Sequence, residues 1–386
     1  MSSPVEQQRQ SVIQEILQTE AAYLRELLLV EEVFIRTMRS SGIVNEKELD
    51  SLFVNWDELI LANSYFNKAL KVRCMNSSGG VITMIGDVLC QQISQLKPYL
   101  RFCSLQLHGA TLLGEKCRAG GPWADLVRQC QEHPLIQGHT LTSFLLKPMQ
   151  RITRYPLLIK QLLKYTPEGH PDCYNTQEAL SASETLCAQV NEAVSQRENT
   201  DKLEWMQRCV TCEGLQERLV FNSLTNTLGP RKLLHTGTLH KVKSKRELVA
   251  FLLSDFLLLT TPSKSVSSCT TLATLERALT STTCAMYRKP MFLTDLRVEG
   301  DKDSETCFTL VSPACGDIAV AAPTTHERNN WLKKIAIAKK HISDTERSLL
   351  HRQQSKEKDR NIMGRVLVTV MAGVSLSEKH CEGKKL

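Results

Sequence analysis

Residues 143–165 read SFLLKPMQRITRYPLLIKQLLKY, and this stretch decides the fold. At about 100° per residue, its apolar side chains fall on one broad arc, as they do on a helix with a buried face. The arc consists of Phe144, Pro148, Ile152, Tyr155, Leu158, Ile159, Leu162 and Leu163. Lys147, Arg151 and Arg154 line its margin. We therefore predict a core helix flanked by a basic stripe, which is either a binding surface or a merely solvated face.

Four residues depart from the pattern of a simple core helix. Leu146 points well away from the arc and Met149 flanks its far edge, although a purely structural helix rarely places an apolar residue there. Pro148 and Pro156 each remove a backbone donor. We therefore expect a bend or a capped turn at each proline.

The string LLKPMQRITRYPLLI resembles the third conserved block of Dbl-homology domains, the catalytic modules of guanine-nucleotide exchange factors for Rho-family GTPases. Further matches lie in the expected order: IQEILQTEAAYLRELLLVEEVF from Ile13, FVNWDELILANSYFNKAL from Phe53 and ETLCAQVNEAV around Asn191. The later segments resemble the linker and pleckstrin-homology domain of the intersectin branch of that family. They read ENTDKLEWMQ, CEGL, LVFNSLTNTLGPRKLLHTGTLHKVKSKREL and FLLSDFLLLT.

The residue patterns and the resemblance predict a multidomain chain. An apolar stripe keeps helical spacing from Ile13 to Met38, as in a long amphipathic helix. The resemblance implies an elongated all-α helical bundle followed by a β-sandwich or barrel that a C-terminal helix closes. The expected divisions are the Dbl-homology domain (1–200), a linker helix (201–228), the pleckstrin-homology domain (229–345), a polar linker (346–363) and the truncated start of a lipid-binding β-sandwich (364–386). The segment GRVLVTVMAGVSL resembles the first strand of that β-sandwich.

Short apolar runs replace the helical spacing in the second domain and predict strands. These runs are GTLHKV, LVAFLL, FLLLTT, MFLTDLRV and CFTLV. Residues 263–283 are rich in Ser and Thr, and we expect them to form a long mobile connection. The last helical pattern, THERNNWLKKIAIAKKHI, should pack Trp331 into the core against the sheet.

Composition and charge exclude several classes of protein. The 386 residues are 42% apolar and 23% charged, as in ordinary globular proteins. The first residues lack the apolar core of a signal peptide, and the longest apolar runs are too short to span a bilayer. The full formal net charge of +7 arises after residue 330, away from any predicted base-reading element, which argues against a nucleic-acid partner. We therefore expect a cytoplasmic protein with peripheral membrane association.

The cysteines do not predict a metal site. The chain has 14 of them without framework spacing, so we expect reduced thiols and no disulfides. Cys209 and Cys212 form one C-x-x-C motif, but a zinc site wants four ligands and no second pair follows. We expect packing here and predict no metal and no cofactor.

Glu20 is the first candidate site residue. It lies in the middle of the apolar stripe, where an unpaired carboxylate would be costly to bury, so we expect it at an exposed groove. The resemblance implies that this glutamate binds the first switch loop of the GTPase. The alternative is a carboxylate paired internally with an arginine, and Glu31, on the same face, is assigned to that alternative.

The other site residues follow from the resemblance. Arg154 and Asn191 match residues directed at the second switch, although Asn191 could instead bond within the helix. Leu146 and Met149 match residues that select among Rho GTPases, and the intersectin branch implies the cell-division-control type as the preferred partner. The remaining stripe residues, Lys147 and Arg151, would hold the bundle through carboxylate pairs or steer an acidic partner.

A basic cluster in the second domain suggests a weak phosphoinositide site. It consists of Lys241, Lys243, Lys245 and Arg246, with Arg231 and Lys232 nearby. The run departs from the high-affinity Lys/Arg-x-Arg pattern, so we expect charge-driven contact with anionic membranes. The alternatives are a merely solvated loop and a domain that mainly buttresses the exchange helices.

Two functions therefore stay open. The first is a guanine-nucleotide exchange factor, which performs no covalent chemistry. The second is a non-catalytic scaffold that binds GTPases or lipids. Because degenerate members would lose the glutamate or the asparagine, their presence favours exchange. A hydrolase is discarded, since the chain lacks a nucleophile elbow and a phosphate loop.

Overall fold

The computed structural model describes residues 3–77, 79–225, 228–266, 275, 277–279, 282–301 and 304–352, and the helical backbone of 353–374. Contacts divide the chain into two compact units, Met1–Glu198 and Asn199–Leu386. The first unit is helical, and the second contains a sheet and a C-terminal helix. This order confirms the expected fold class.

The first unit is built from helices joined by short turns. They are α1 (Pro4–Val30), α2 (Arg36–Ser40), α3 (Glu46–Phe53), α4 (Trp56–Met75), α5 (Gly86–Ile93), α6 (Pro98–Ala119), α7 (Pro122–Gln131), α8 (Leu141–Lys164) and α9 (Cys173–Cys209), in which the unit boundary falls. A π-helical turn, Glu31–Ile35, joins α1 directly to α2 and buries the side chains of Val33, Phe34 and Ile35.

Helix α8 contains nearly all of the basic and apolar stretch 143–165. Thr140 caps it, because its hydroxyl accepts a hydrogen bond from the Ser143 N–H at 3.2 Å. The predicted arc is buried, apart from the half-buried Leu163. Both prolines lie inside the helix. Pro156 cannot donate to the Ile152 carbonyl, and the Cys187 thiol of α9 donates to that oxygen instead, at 3.4 Å.

A buried ion pair joins the start of α1 to the start of α9. Arg9 and Asp172 are fully buried, and Arg9 Nη2 donates to Asp172 Oδ2 at 2.8 Å. Asp172 also accepts from the N–H groups of Ile85 and Gly86. A Cβ at Gly86 would meet the Thr176 backbone nitrogen at 2.5 Å, so α5 can approach α9 this closely only with glycine.

The second unit is built around a β-sheet. Its strands are β1 (Val210–Thr211), β2 (Leu224–Thr225), β3 (Gly229–Pro230), β4 (Leu233–Lys241), β5 (Glu247–Leu253), β6 (Phe256–Pro262), β7 (Cys284–Met286), β8 (Met291–Phe292), β9 (Arg297–Gly300), β10 (Cys307–Val311) and β11 (Ile318–Ala321). The main sheet has the order β1-β7-β6-β5-β4-β11-β10-β9, with β8 paired to β6, and β2 pairs with β3. Helix α10 (Thr325–Val374) follows and packs Trp331 into the core, as predicted, together with Ile335, Ala338 and Ile342.

Expectations about four connecting or terminal segments need correction or stay open. Helix α9 ends at Cys209, so the linker expected at 201–228 is helical only in its first part. Residues 345–374 continue α10, in place of a polar connector and a strand. The reason is that 345–361 is rich in good helix formers and contains neither Gly nor Pro. Residues 375–386, and most of the connection at 263–283, lie outside the described residues.

Within the part of the chain that the structure describes, no helix combines the length and the apolar character that crossing a membrane requires.

A largely buried histidine, whose side chain is 12% exposed, makes the second unit sensitive to acid. His235 on β4 stacks on Trp331 with ring centroids 4.4 Å apart, and its Nδ1 lies 3.1 Å from Lys334 Nζ. Glu327 faces its Nε2 at 4.0 Å. Burial, and then the charge of Lys334, lower the pKa of His235 from 6.5 to about 4. The folded protein therefore resists a proton that the unfolded chain accepts readily.

Acidification from pH 7 to pH 5 should accordingly destabilise this unit by about 2 kcal/mol, with no further loss from His235 below its folded pKa. Hydrogen exchange of the β4 and β5 amides measures the effect. His235→Phe should remove most of it, whereas a change at the exposed His326, His326→Gln, should not. An equal acid sensitivity of the wild type and His235→Phe would contradict this origin.

Candidate functional site

Three ion pairs connect α1 to α8. Glu15 pairs with Arg154 at 2.9 Å, Glu20 pairs with Arg151 at 2.6 Å, and Glu26 pairs with Lys147. Because the order ascends along α1 and descends along α8, the two helices run antiparallel here. We call these three pairs the ion-pair ladder.

The central pair of the ladder is buried. Glu20 is 0% exposed and Arg151 is 5% exposed. Glu20 Oε2 accepts two hydrogen bonds from Arg151, at 3.0 and 2.6 Å, and one from the Tyr155 hydroxyl at 2.9 Å. The guanidinium also donates to Thr19 Oγ1 at 3.1 Å and lies over the Tyr155 ring. This pair fixes the spacing between α1 and α8.

The electrostatics of this pair reflect its burial. Burial raises the pKa of the Glu20 carboxyl, and Arg151 and Tyr155 only partly oppose the rise. Burial also acts against the charge of Arg151, yet Tyr155 and Glu20 together raise its pKa. Breaking such a pair is costly, because the remaining partner would stay buried as an uncompensated charge.

The outer pairs flank an open groove between α1 and α8. The groove has a volume of about 240 Å³. It is lined by Thr19, Ala22, Tyr23, Glu26, Lys147, Gln150, Arg151 and Arg154. Glu15 and Arg154 are about half exposed, so water competes for both partners of this pair. The groove therefore offers charged groups that a partner can engage without opening the core.

The structure corrects the expected position of Glu20. The expectation of an exposed groove position is wrong, because the side chain is fully buried. Its carboxylate pairs with Arg151, which is the alternative that the sequence left open. Glu15 is an exposed carboxylate beside the groove, and it is not among the site residues predicted from the sequence. A signal was available: Glu15 falls on the opposite side of α1 from the apolar stripe, where exposure is the rule.

The remaining α8 residues lie where the helical wheel puts them. Leu146 is 42% exposed, and Met149 is half-buried against the core. Lys147 pairs with Glu26 and also lies over the Phe144 ring. Lys147 and Arg151 thus hold the bundle through carboxylate pairs, as one of the two expectations had it.

Asn191 is exposed on α9. It follows Cys187 by one helical turn, and Cys187 donates to the Ile152 carbonyl of α8. The same face of α9 thus meets α8 at Cys187 and presents Asn191 a turn later. Asn191 and Arg154 are therefore carried by two helices that are in contact.

The basic cluster of the second unit lies at the end of β4 and in the loop before β5. Lys243, Lys245 and Arg246 are exposed. Lys241 donates to the Tyr287 hydroxyl at 3.1 Å, and Arg246 lies over the same ring. Arg231 does not belong to this surface, because it is buried and bound to both carboxylate oxygens of Asp255.

The two units correspond to two known domain families. Residues 12–191 match the RhoGEF domain, and residues 210–361 match a pleckstrin homology domain. The chain therefore belongs to the family of RhoGEF proteins in which a RhoGEF domain is followed by a pleckstrin homology domain.

Within this family the chain is similar to intersectins. It is 41% identical to intersectin-1 of Mus musculus over 388 residues, which cover 100% of this chain and 23% of that protein. It is also 30% identical over 267 residues to Rho guanine nucleotide exchange factor 11 of Homo sapiens, covering 65% of this chain and 17% of that protein. The chain thus spans less than a quarter of the length of these relatives.

A solved structure contains the same two kinds of domain in the same order along the chain. The crystal structure of the linker-DH/PH domains of p115-RhoGEF superposes with a TM-score of 0.73 at 26% identity. The match covers 88% of this chain and 99% of that one.

Proposed function

We propose that this chain is a guanine-nucleotide exchange factor. It binds the switch regions of a Rho-family small GTPase at the groove between α1 and α8 and accelerates GDP release, so that GTP can load. The observation that carries the proposal is the half-exposed Glu15–Arg154 pair at this groove, in a chain that matches the RhoGEF domain. The names of the relatives, Rho guanine nucleotide exchange factor 11 and p115-RhoGEF, support a Rho-family partner.

The exchange reaction requires differential binding and no nucleophile. A protein that holds the nucleotide-free GTPase more tightly than the nucleotide-bound form must weaken nucleotide binding by the same factor. About 1.4 kcal/mol of this difference corresponds to a tenfold effect. The switch loops are ordered by phosphate and magnesium contacts, so a factor that repositions these loops releases the nucleotide.

The ladder suits this task because its pairs differ in strength. The Glu15–Arg154 pair is half exposed and contributes about 0–1 kcal/mol to stability. Each of these two residues can therefore leave its partner and bind a GTPase group at little cost. The buried Glu20–Arg151 pair would be costly to break and stays closed. We assign Glu15 to the first switch, Arg154 and Asn191 to the second, and Glu20 to holding Arg151 beneath the groove.

Partner choice is assigned to two apolar side chains of α8, Leu146 and Met149. Leu146 offers an exposed apolar side chain beside the basic stripe, and Met149 is accessible in part. Such side chains can pack against an apolar surface of the GTPase next to its switches. We propose the cell-division-control type as the preferred partner, as the similarity to intersectins implies.

The test is the release of a fluorescent GDP analogue from a panel of Rho-family GTPases in the presence of this chain. Acceleration on the cell-division-control type, at least tenfold above other members, supports the proposal. Leu146→Ala should reduce that preference. A folded protein that accelerates no member of the panel would contradict exchange and favour the scaffold function.

Asn191→Ala provides an independent check of the second-switch assignment. Because Asn191 is exposed, its loss should leave thermal stability unchanged while exchange falls about tenfold or more. Gln196→Ala, on the same helix, is the matched control and should exchange normally. If Asn191→Ala melts at a clearly lower temperature, the residue has a structural role.

The second unit is proposed to contact anionic membranes weakly. Its exposed charges lie together at one loop, and each basic residue near an anionic leaflet contributes about 1 kcal/mol. Replacing Lys241, Lys243 and Lys245 with Gln should lower binding to phosphoinositide vesicles and leave exchange in solution unchanged. The exposed Lys333 and Lys340, outside the loop, serve as the control. Vesicle binding that survives the triple replacement would rule out this loop as the lipid site.

A further inference from the structure

Helix α4 carries apolar residues on two opposite faces. One face is buried in the bundle and consists of Trp56, Leu59, Asn63, Phe66, Asn67 and Leu70. The other face is exposed, and we call it the α4 stripe. It consists of Leu61, Tyr65, Lys68, Val72 and Met75.

The α4 stripe has the regular spacing of a helix-packing surface. Its members recur at alternating intervals of four and three residues, so they fall within an arc of about 80°. From Leu61 to Met75 the stripe is about 21 Å long. This is the geometry with which one helix packs against another.

The exposure of the stripe is unusual for a solvent-facing surface. Leu61 is 57% exposed, Tyr65 61%, Val72 47% and Met75 82%. A helix face turned to water normally carries charged and polar residues, whereas contiguous exposed apolar residues mark interaction sites. Tyr and Met are also enriched in protein interfaces. The stripe therefore has the composition of a docking surface.

A lysine at the centre determines which partner fits. Lys68 is equally distant in sequence from Leu61 and Met75, and the positions three and four residues away hold Ser64, Tyr65, Lys71 and Val72. Its own helix thus supplies no carboxylate, and Lys71 adds a second positive charge at the edge. An apolar partner would bury this ammonium group unpaired, which is costly.

The same position argues against a second copy of this chain. In a two-fold antiparallel pair, residue 61 meets residue 75 and residue 68 meets itself, so two lysines face each other at the axis. A parallel pair in register also places Lys68 against Lys68. Like charges in an interface cost several kcal/mol, whereas an opposite charge there contributes to specificity.

We propose that the α4 stripe docks an amphipathic helix of a protein partner, whose apolar stripe is interrupted at its middle by Asp or Glu. The apolar residues of that helix pack against Leu61, Tyr65, Val72 and Met75, and its carboxylate pairs with Lys68. This site does not use the groove between α1 and α8 and is independent of the proposed exchange function.

The test uses the full chain and two synthetic helical peptides of about 20 residues. Both have apolar residues at the spacing of the stripe, and they differ only in the middle position, which is Glu in one and Lys in the other. Fluorescence anisotropy should show that the wild type prefers the Glu peptide by about tenfold or more. Lys68→Glu should reverse the preference, and Tyr65→Ser with Met75→Ser should abolish binding of both peptides.

The variants change exposed side chains, so thermal unfolding should be unaltered and the comparison stays valid. Equal affinity for both peptides, or no binding of either at millimolar concentration, would overturn the proposal. Concentration-dependent self-association that Tyr65→Ser removes would show that the occupant is a second copy. Binding to anionic vesicles that requires Tyr65 and Met75 would show a membrane surface instead.

Discussion

Glu15→Ala and Arg154→Ala are each expected to reduce the acceleration of GDP release by about tenfold or more, which corresponds to at least about 1.4 kcal/mol of binding to the nucleotide-free GTPase. The reason is that both groups lie half exposed at the groove and are available to a partner. The measurement is release of a fluorescent GDP analogue, combined with pull-down of the nucleotide-free GTPase.

The matched control is Arg128→Ala, which removes an exposed ion pair of similar length from α7. It should exchange as the wild type does. The free energy of unfolding of both site variants should lie within about 1 kcal/mol of the wild-type value, since an exposed pair contributes little to stability. Normal exchange by Glu15→Ala on every GTPase that the wild type activates would refute the assignment of this carboxylate.

Glu20→Ala is expected to act on stability first. Its loss leaves the Arg151 guanidinium, which is 5% exposed, without its carboxylate, and breaking a buried pair in this way costs about 3–5 kcal/mol. Chemical denaturation of the first unit, followed by far-ultraviolet circular dichroism, measures the loss. Glu26→Ala, which breaks a partly exposed pair of the same ladder, should cost only about 0–1 kcal/mol.

A double replacement distinguishes a structural role of Glu20 from direct contact with the GTPase. Glu20→Met combined with Arg151→Met removes both charges and should recover part of the lost stability, because an apolar pair of similar size avoids the desolvation cost. If Glu20→Ala keeps wild-type stability and yet exchanges poorly, Glu20 is itself a GTPase contact.

Periodicity predicted the helices well because it records which faces are buried. The arc of α8, the exposure of Leu146 and the packing of Trp331 all follow from spacing alone. These features depend on local sequence, so a single chain contains enough information to predict them.

The position of Glu20 could not be predicted in the same way. Its place in the apolar stripe was compatible with burial only if a cation faced it, and Arg151 is 131 residues away in the sequence. The spacing within α1 does not reveal that partner. The continuation of α10 was missed for another reason: residues 366–374 are apolar and β-branched enough to resemble a strand, while helix formers precede them.

The π-helical turn at Glu31–Ile35 takes up one residue more than an α turn would hold. Because that residue is absorbed within the turn, α1 and α2 keep about the phase of one continuous helix, and Glu15, Glu20 and Glu26 keep their direction towards α8. Deleting one residue of the turn should therefore leave a regular α-helix with this phase nearly unchanged. Deleting one residue inside α1 would instead rotate the segment before the deletion by about 100° relative to Met38. The turn thus marks a position where the chain can lose one residue without turning the carboxylates away from their partners.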